Sequence, residues 1–322
     1  MCGSAAISFI RIPESEDSAF NMKLSIVIPA YNEAGNIAAC VKELQDVVGV
    51  REGLDYEIVV VNDNSSDETA DVVQKLIEQD DSVRLVNRTP PGGFGRAIRS
   101  GLEAVTGDVV VIYMADLSDD PNDVIAYYRK IEEGYDCVFG SRFRVGSKVQ
   151  HYPWIKLVVN RIVNRCIQLM FWTPYNDLTN AFKAYRTSVI RDCGPYQASH
   201  FNITLELSLS TLIRRYRIAE IPISWSGRQW GASNLRLQEM GRRYLSTLLM
   251  MFFQRILVAD DIRAECSTAD RHPSAIAVDD RRDDSEGEGD YEERDLANVL
   301  EELQRVQKDL RPAAEKPTAV KS

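Results

Sequence analysis

The chain has 322 residues, 44% of them hydrophobic, and a formal net charge of −10. That is long and apolar enough for one large or two small domains, and excludes a chain that is disordered throughout. Charge is segregated: residues 1–139 carry 25 acidic and 11 basic side chains, residues 140–259 carry 5 and 17, and residues 260–322 carry 18 and 10. The cationic middle calls for an anionic partner: nucleic acid, a phosphorylated small molecule or an anionic membrane surface.

Six cysteines (Cys2, Cys40, Cys137, Cys166, Cys193 and Cys266) form no CxxC pair and no zinc spacing, so reduced thiols in a cytosolic protein are expected. Residues 1–22 contain the short apolar patch AAISFI without a basic region before it. A loose leader is expected there rather than a secretory signal. No window reaches the ~18 apolar residues a spanning helix needs.

From Lys23 to Gly140 strands and helices alternate at short intervals. LSIVIPA (24–30) reads as a strand and Asn32–Val48 as a helix, with Ile37, Val41, Leu44 and Val48 on one face. YEIVVVND (56–63) is a second strand, followed by a helix capped by Ser65 or Ser66 with Asp67 and Glu68 in its first turn. VRLVN (83–87) is a third strand, and a Pro-Pro-Gly-Gly turn leads to a helix at Phe94–Val105. Strand 109–114, helix 121–133 and strand 136–140 complete a series that predicts a parallel sheet covered by helices on both faces.

The stretch VVVIYMADLSDDP (109–121) is the pivot. A buried strand ends in Asp116, an acidic turn follows, and Pro121 opens a helix. At the carboxyl edge of a parallel sheet such a carboxylate faces the crevice where open α/β folds bind nucleotides. Tyr31, Asn32 and Glu33 follow the first strand and Asp63 the second. Each acid has an ordinary reading as a helix cap, and Glu33 and Asp67 stand where first-turn acids stand anyway. Three strands ending in acids point instead to acceptors for a base and ribose, with Asp116 for a diphosphate and a divalent cation. GGFGRAIRSG (92–101) lacks the GxGxxG spacing and is assigned turn and packing roles.

GSRFRVGSK (140–148) reads as a basic loop. Pro153–Phe171 reads as an amphipathic helix, with Ile155, Val158, Val159, Ile162, Cys166 and Met170 offset from Lys156, Asn160, Asn164 and Gln168. An interfacial membrane helix and a helix packed on the sheet both fit. Residues 177–193 give a short strand and helix, Ile203–Tyr216 a helix, Ile218–Ile223 an edge strand tolerant of Pro222, and SWSGRQWGASN (224–234) a mobile loop. Leu235–Val258 is a second cationic helix, whose LLMMFF turn (248–253) must be buried in protein or lie in a bilayer surface. A disordered acidic linker is expected at 259–292 and a disordered end at 313–322. Between them, at 293–312, Leu296, Val299, Leu303, Val306 and Leu310 suggest a short helix that needs a partner helix, the protein's own surface or a second copy, paired through 296–310.

PAYNE (29–33), VNDNSSDET (61–69), MADLSDDP (114–121) and GSRF (140–143) together resemble the family 2 glycosyltransferases. NDLTNAFKAYR (176–186) and EIPISW with RQWGASN (220–234) narrow the resemblance to the dolichyl-phosphate mannosyltransferase-like, polyprenyl-phosphate branch. It covers residues 23–255. The fold implied is a GT-A type, Rossmann-like, mostly parallel sheet, with a nucleotide-sugar-binding half at 23–140 and an acceptor-binding half at 141–258. Pro29, Tyr31, Glu33 and Asp63 are implied to hold the base and ribose, and Asp116, with Ala115 beside it, the Mg2+ or Mn2+ on the donor diphosphate. Arg142, Lys156 and Asn160 are implied to take the acceptor phosphate, and Arg228 and Ser233 to close over the donor, with Asp116, Arg142 and Arg228 carrying the catalysis. The sequence departs from the pattern at Met114, where an Asp is usual, and at Asn62, Asn64, Ser118, Lys183 and Asn234.

The activity implied is inverting transfer of a hexose from a GDP- or UDP-linked donor to a polyprenyl phosphate at the cytoplasmic face of a membrane, by a peripheral enzyme. Two rivals stand beside it. Transfer to a sugar or protein hydroxyl would need a base, for which Glu206 or Asp177 are the candidates, Glu206 reading better as a buried partner for nearby arginines or an active-site wall residue. A non-catalytic nucleotide-sugar-binding scaffold would explain Met114. No nucleic-acid-binding module is recognised.

Overall fold

The strands at the centre carry apolar side chains on both faces, so both faces must be covered. In β1 (Leu24–Ala30), β2 (Tyr56–Asn62) and β4 (Val109–Ile112), Ile26, Ile28, Ile58, Val60, Val109 and Val111 enter one core. Val27, Val59, Val61, Val110 and Ile112 enter the other. A computed structural model describes residues 22–227 and 237–269, with side chains for 22–227 and 241–257. Arg228, Ser233, the leader before Met22 and the helix expected at 293–312 lie outside the described residues.

The first core is closed by α1 (Ile37–Leu44), α2 (Thr69–Ile77) and α4 (Pro121–Glu132). The second is closed by α3 (Phe94–Ala104), α5 (Trp154–Phe171), α6 (Thr187–Cys193), α7 (Ile203–Ile213) and α8 (Leu237–Ala269). The sheet has the order β3-β2-β1-β4-β7-β5-β8, with β3 at Val83–Asn87, β5 at Cys137–Ser141, β7 at Lys183–Arg186 and β8 at Ile218–Pro222. All pairings are parallel except those of β7, which runs antiparallel to both β4 and β5. A two-stranded parallel ribbon, β6 (Lys148–Gln150) with β9 (Ser224–Ser226), lies outside this sheet.

Several boundaries differ from the sequence reading, each for a local reason. The first helix starts at Ile37 rather than Asn32, because Asn32 has a φ of 55° and residues 33–36 are spent in a turn closed on the Glu33 carbonyl. It then widens into a π-helical segment at Gln45–Arg51. Ser65 and Ser66 do not cap the second helix, which opens at Thr69. They lock the two loops together: the Asn32 N–H donates to Ser65 Oγ at 3.0 Å and the Ser66 N–H to Asn32 Oδ1 at 2.8 Å. Asp67 takes the cap-like role, accepting from the Thr69 N–H at 3.0 Å and from the Ala34 N–H at 3.1 Å. Helix α8 runs to Ala269, past Val258 and into the stretch expected to be a disordered linker from 259.

Candidate active site

Strands β1, β2 and β4 are parallel neighbours, so their carboxyl ends share one edge of the sheet. Chain order reverses between β1 and β4, the position where open α/β sheets form a ligand crevice. Pro29 lies inside β1, exposed Tyr31 and buried Glu33 follow it, Asp63 follows β2, and Ala115 and Asp116 follow β4. The structure therefore gathers these six positions at one rim.

Asp63 is already an acceptor. Arg88 Nη1 and Asn64 Nδ2 donate to its Oδ1, and the Gly93 N–H donates to Oδ2 at 2.6 Å. A carboxylate offers about four acceptor positions, so a base or ribose donor meets an acid held in a fixed orientation. The Gly92–Gly93 turn was read from the sequence, but its N–H bond to Asp63 and the Arg88 pairing were not legible there.

The Asp116 loop is tightly folded. Asp116 Oδ1 accepts from the Ser118 N–H at 3.2 Å across Leu117, whose φ of 60° is a left-handed conformation costly for a branched side chain. The loop is pinned from below by the Tyr113 hydroxyl, which donates to the Asp119 carbonyl at 2.6 Å. From above, the Ser226 N–H donates to the Ser118 carbonyl at 2.9 Å. Asp119 is buried, its Oδ2 accepts from the Met114 N–H at 3.4 Å, and its Oδ1 has no hydrogen-bond partner among the described residues. Burial, reinforced by the Asp116 charge, pushes its carboxyl up to about 8. Hard oxygen donors of this kind fit Mg2+ or Mn2+. No group of three or more His, Cys, Asp or Glu side chains suited to a metal is preformed among the described residues. A divalent cation held here would need further ligands from a bound diphosphate and water.

The acceptor side is built differently from the sequence expectation. Arg142 Nε and Nη2 donate to Asp177 Oδ2 and Oδ1, each at 2.8 Å, in a fork that commits two of its five N–H donors. Its guanidinium lies 5.5–6.0 Å from the ring centres of Phe143, Tyr152 and Trp225. Burial works against this charge, yet the Asp177 carboxylate holds the guanidinium's pKa above its ordinary value. Asp177, considered as a base, is thus an ion-pair partner.

Asn160 faces the protein: its Nδ2 donates to Thr179 Oγ1 at 2.9 Å and its Oδ1 accepts from Asn164 Nδ2 at 3.1 Å. Lys156, one turn earlier, is exposed. Arg161, which sequence reasoning did not assign, donates to the Asn176 carbonyl at 3.0 Å and sits 4.7 Å from the Phe143 ring centre. The segment 176–179 thus joins Arg142 to α5.

Among the described residues Glu206 pairs with no arginine. Buried on α7, it accepts from the Gln197 and Ala198 N–H groups at 2.9 and 2.8 Å and so fixes the preceding loop. Lys183 is fully enclosed and donates to the Leu178 carbonyl and Ser208 Oγ at 2.7 and 2.6 Å. Burial pulls its ammonium down to about 7.

Helix α5 buries Ile167 and Phe171 in the second core, yet its other flank is apolar too. Trp154, Ile155, Val158, Val159, Ile162 and Leu169 are exposed, as is Trp172 just beyond it, while Asn164 is buried. Asn164 Nδ2 donates to Thr179 Oγ1, and its Oδ1 accepts from the Leu178 N–H at 2.8 Å. Helix α8 meets the far end of α5: Arg255 donates to the Met170 carbonyl at 2.8 Å, and Phe252 packs edge-on against Phe171. Leu248 and Met251 are buried, whereas Leu245, Leu249, Phe253, Ile256 and Leu257 remain exposed. No helix among the described residues is long and apolar enough to cross a membrane.

Known proteins agree with this geometry. The chain is 30% identical over 218 residues to the dolichol-phosphate mannosyltransferase of Pyrococcus furiosus, covering 67% of this chain but 60% of that one. It is 26% identical over 216 residues to the polyprenol monophosphomannose synthase of Mycolicibacterium smegmatis, covering 65% and 80%. It is 31% identical over 214 residues to the undecaprenyl-phosphate 4-deoxy-4-formamido-L-arabinose transferase of an Enterobacter species, covering 66% and 62%. Among solved structures, glucosyl-3-phosphoglycerate synthase from Mycobacterium tuberculosis with Mn2+ and UDP superposes with a TM-score of 0.55 at 21% identity, over 71% of this chain and 80% of that one. This likeness bears on the fold alone, a GT-A type α/β arrangement. The family model for Glycosyl transferase family 2 matches residues 25–194, more than half of the chain, and the chain belongs to that family.

Proposed function

We propose that the protein transfers a hexose from a nucleoside-diphosphate sugar to a polyprenyl phosphate at a membrane surface, with inversion at the anomeric carbon. The observation that carries the lipid acceptor is the exposed apolar flank of α5. A helix that turns Asn160 and Asn164 inward and Ile155, Val158 and Ile162 outward gains stability only where something apolar covers it. Its first turn also presents Lys156. The relatives named for dolichol-phosphate, polyprenol and undecaprenyl-phosphate chemistry support the same acceptor class.

The chemistry follows from the charges. An acceptor phosphate monoester has its second ionisation near pH 6 and arrives with a nucleophilic oxygen already ionised. That oxygen attacks the anomeric carbon from the face opposite the diphosphate. The bond to the diphosphate breaks, and the nucleoside diphosphate leaves with the electron pair. There is no hydroxyl proton to remove, which suits a site where Glu206 and Asp177 are both committed elsewhere. Asp116, with a nucleoside diphosphate, would hold Mg2+ or Mn2+, which supplies charge neutralisation on the leaving group. Asp63, Glu33 and Tyr31 orient the nucleoside, and Arg142 and Lys156 seat the acceptor anion and offset its repulsion by the donor. The GDP- or UDP-linked identity of the donor, the cytoplasmic face and closure by Arg228 and Ser233 belong to the same proposal.

The test is direct transfer. Full-length protein with Mg2+ or Mn2+, labelled GDP- or UDP-hexoses and a polyprenyl phosphate is expected to yield a labelled, organic-soluble product that Asp116→Ala abolishes. No product from any of these donors overturns the reading.

A further inference from the structure

We propose that Asp119 is the second carboxylate of the divalent-cation site at the end of β4, supplying from the turn the acid that position 114 lacks. The inference rests on the divalent-cation part of the function proposed above.

Three observations carry it. First, Asp119 is only 4% exposed, and its Oδ1 has no hydrogen-bond partner among the described residues. Other buried carboxylates of the fold are satisfied: Glu57 by Ser25, Thr106 and Arg84, Asp177 by the Arg142 fork. A buried, half-satisfied carboxylate costs free energy that a bound cation offsets. Second, Asp119 folds back onto the start of its own turn. Its Oδ2 accepts from the Met114 N–H, so the carboxylate hangs at the strand end where an acid at 114 would have its backbone. Asp116 is close enough for its charge to act on Asp119. Third, the position is fixed from several sides, by the Tyr113 hydroxyl on its carbonyl and by its bridge to Trp225. A ligand held on such a turn is preorganised. Two aspartates, two diphosphate oxygens and water are a sufficient set for Mg2+ or Mn2+, which keep several waters. Arg142, the cation whose charge also reaches Asp119, is committed to Asp177.

The experiment measures Mn2+ binding to the full chain with GDP or UDP by the electron paramagnetic resonance signal of free Mn2+, so that no turnover is needed. Asp119→Asn keeps the side-chain shape and is expected to weaken Mn2+ about tenfold or more. Asp120→Asn, which alters only the cap of α4, is expected to leave it unchanged. The double variant Met114→Asp/Asp119→Asn is expected to recover the affinity, an outcome a merely structural role for Asp119 would not give. Wild-type affinity in Asp119→Asn, or no Mn2+ binding by the wild type with either nucleotide, overturns the assignment. Lipid-linked product formed in the presence of a chelator would leave the transferase reading standing while this one falls. Mn2+ binding that depends on Asp119, in a protein that makes no product, would do the reverse.

Discussion

Arg142 and Asp177 form a two-pronged ion pair, Nε to Oδ2 and Nη2 to Oδ1, both at 2.8 Å, with the rings of Phe143, Tyr152 and Trp225 around the guanidinium. The backbone N–H of Arg142 donates to the same Asp177 Oδ2 at 3.2 Å. Such a pair sets the orientation of the guanidinium before any acceptor arrives. Removing one partner strands the other charge in a poorly solvated place, a loss of about 3–5 kcal/mol. Asp177→Asn is therefore expected to lower the Tm by roughly 10 °C, read by thermal unfolding, with ~2–4 °C per kcal/mol for a chain of this size. Arg142→Lys is expected to recover little, because an ammonium cannot make the fork. An unchanged Tm in Asp177→Asn would mean the pair contributes nothing to the fold.

Lys156 should behave in the opposite way. It stands exposed in the first turn of α5, where a surface charge contributes about 1 kcal/mol or less to stability. Lys156→Ala is expected to leave the Tm within about 2 °C while raising KM for the polyprenyl phosphate several-fold with a smaller change in kcat, because the proposed seat for the acceptor anion would act in ground and transition states alike. A fall in kcat at constant KM would place Lys156 at the reacting phosphate instead.

The sheet was legible because its strands are apolar on both faces: Ile26, Val27 and Ile28 in β1 fill both cores, and continuous β-branched runs permit little else. The antiparallel insertion of β7 between β4 and β5 was not, since KAYR carries no sign of strand direction. Helix starts failed where a side chain bonded across loops rather than to its own helix, as at Ser65 and Ser66. The strand-end acids Asp63 and Asp116 could be read from position alone. Their partners could not, because Arg88, Gly93 and Ser118 reach them through loop geometry that no periodicity encodes. The apolar stripe of α5 was read correctly as a stripe, but which side faced the protein was decided by Asn164 and Thr179.

Glu57 gives the acid side of the stability curve. It is buried on β2, which alone would raise its pKa, but Ser25, Thr106 and Arg84 together hold it at about 2, below the ordinary 4.5. A carboxyl depressed in the folded state binds fewer protons there than when unfolded. Its contribution is complete above pH 4.5 and is lost as pH falls through 2. The wild type is expected to lose Tm over that window more steeply than Glu57→Gln, which in turn is less stable at pH 7. Parallel Tm profiles for the two proteins between pH 5 and 2 would show that the Glu57 network does not govern acid unfolding.

The exposed flanks of α5 and α8 meet where Phe252 packs on Phe171 and Arg255 reaches the Met170 carbonyl. Leu169 on α5 and Phe253 on α8 are 65% and 61% exposed near this junction, and Arg165 adds a cation on the same helix. If lipid covers these flanks, each large side chain contributes up to about 1.5–3 kcal/mol to partitioning, and anionic lipid strengthens it further. Leu169→Asp with Phe253→Asp is expected to cut co-sedimentation with vesicles containing phosphatidylglycerol by about 100-fold or more, while the Tm changes little because neither side chain is in the core. Transfer to a water-soluble, short-chain prenyl phosphate should survive in the same variant, since neither substitution touches Asp116, Arg142 or Lys156. Undiminished vesicle binding would assign membrane attachment to another surface. Loss of the short-chain reaction would place these side chains in the acceptor site itself.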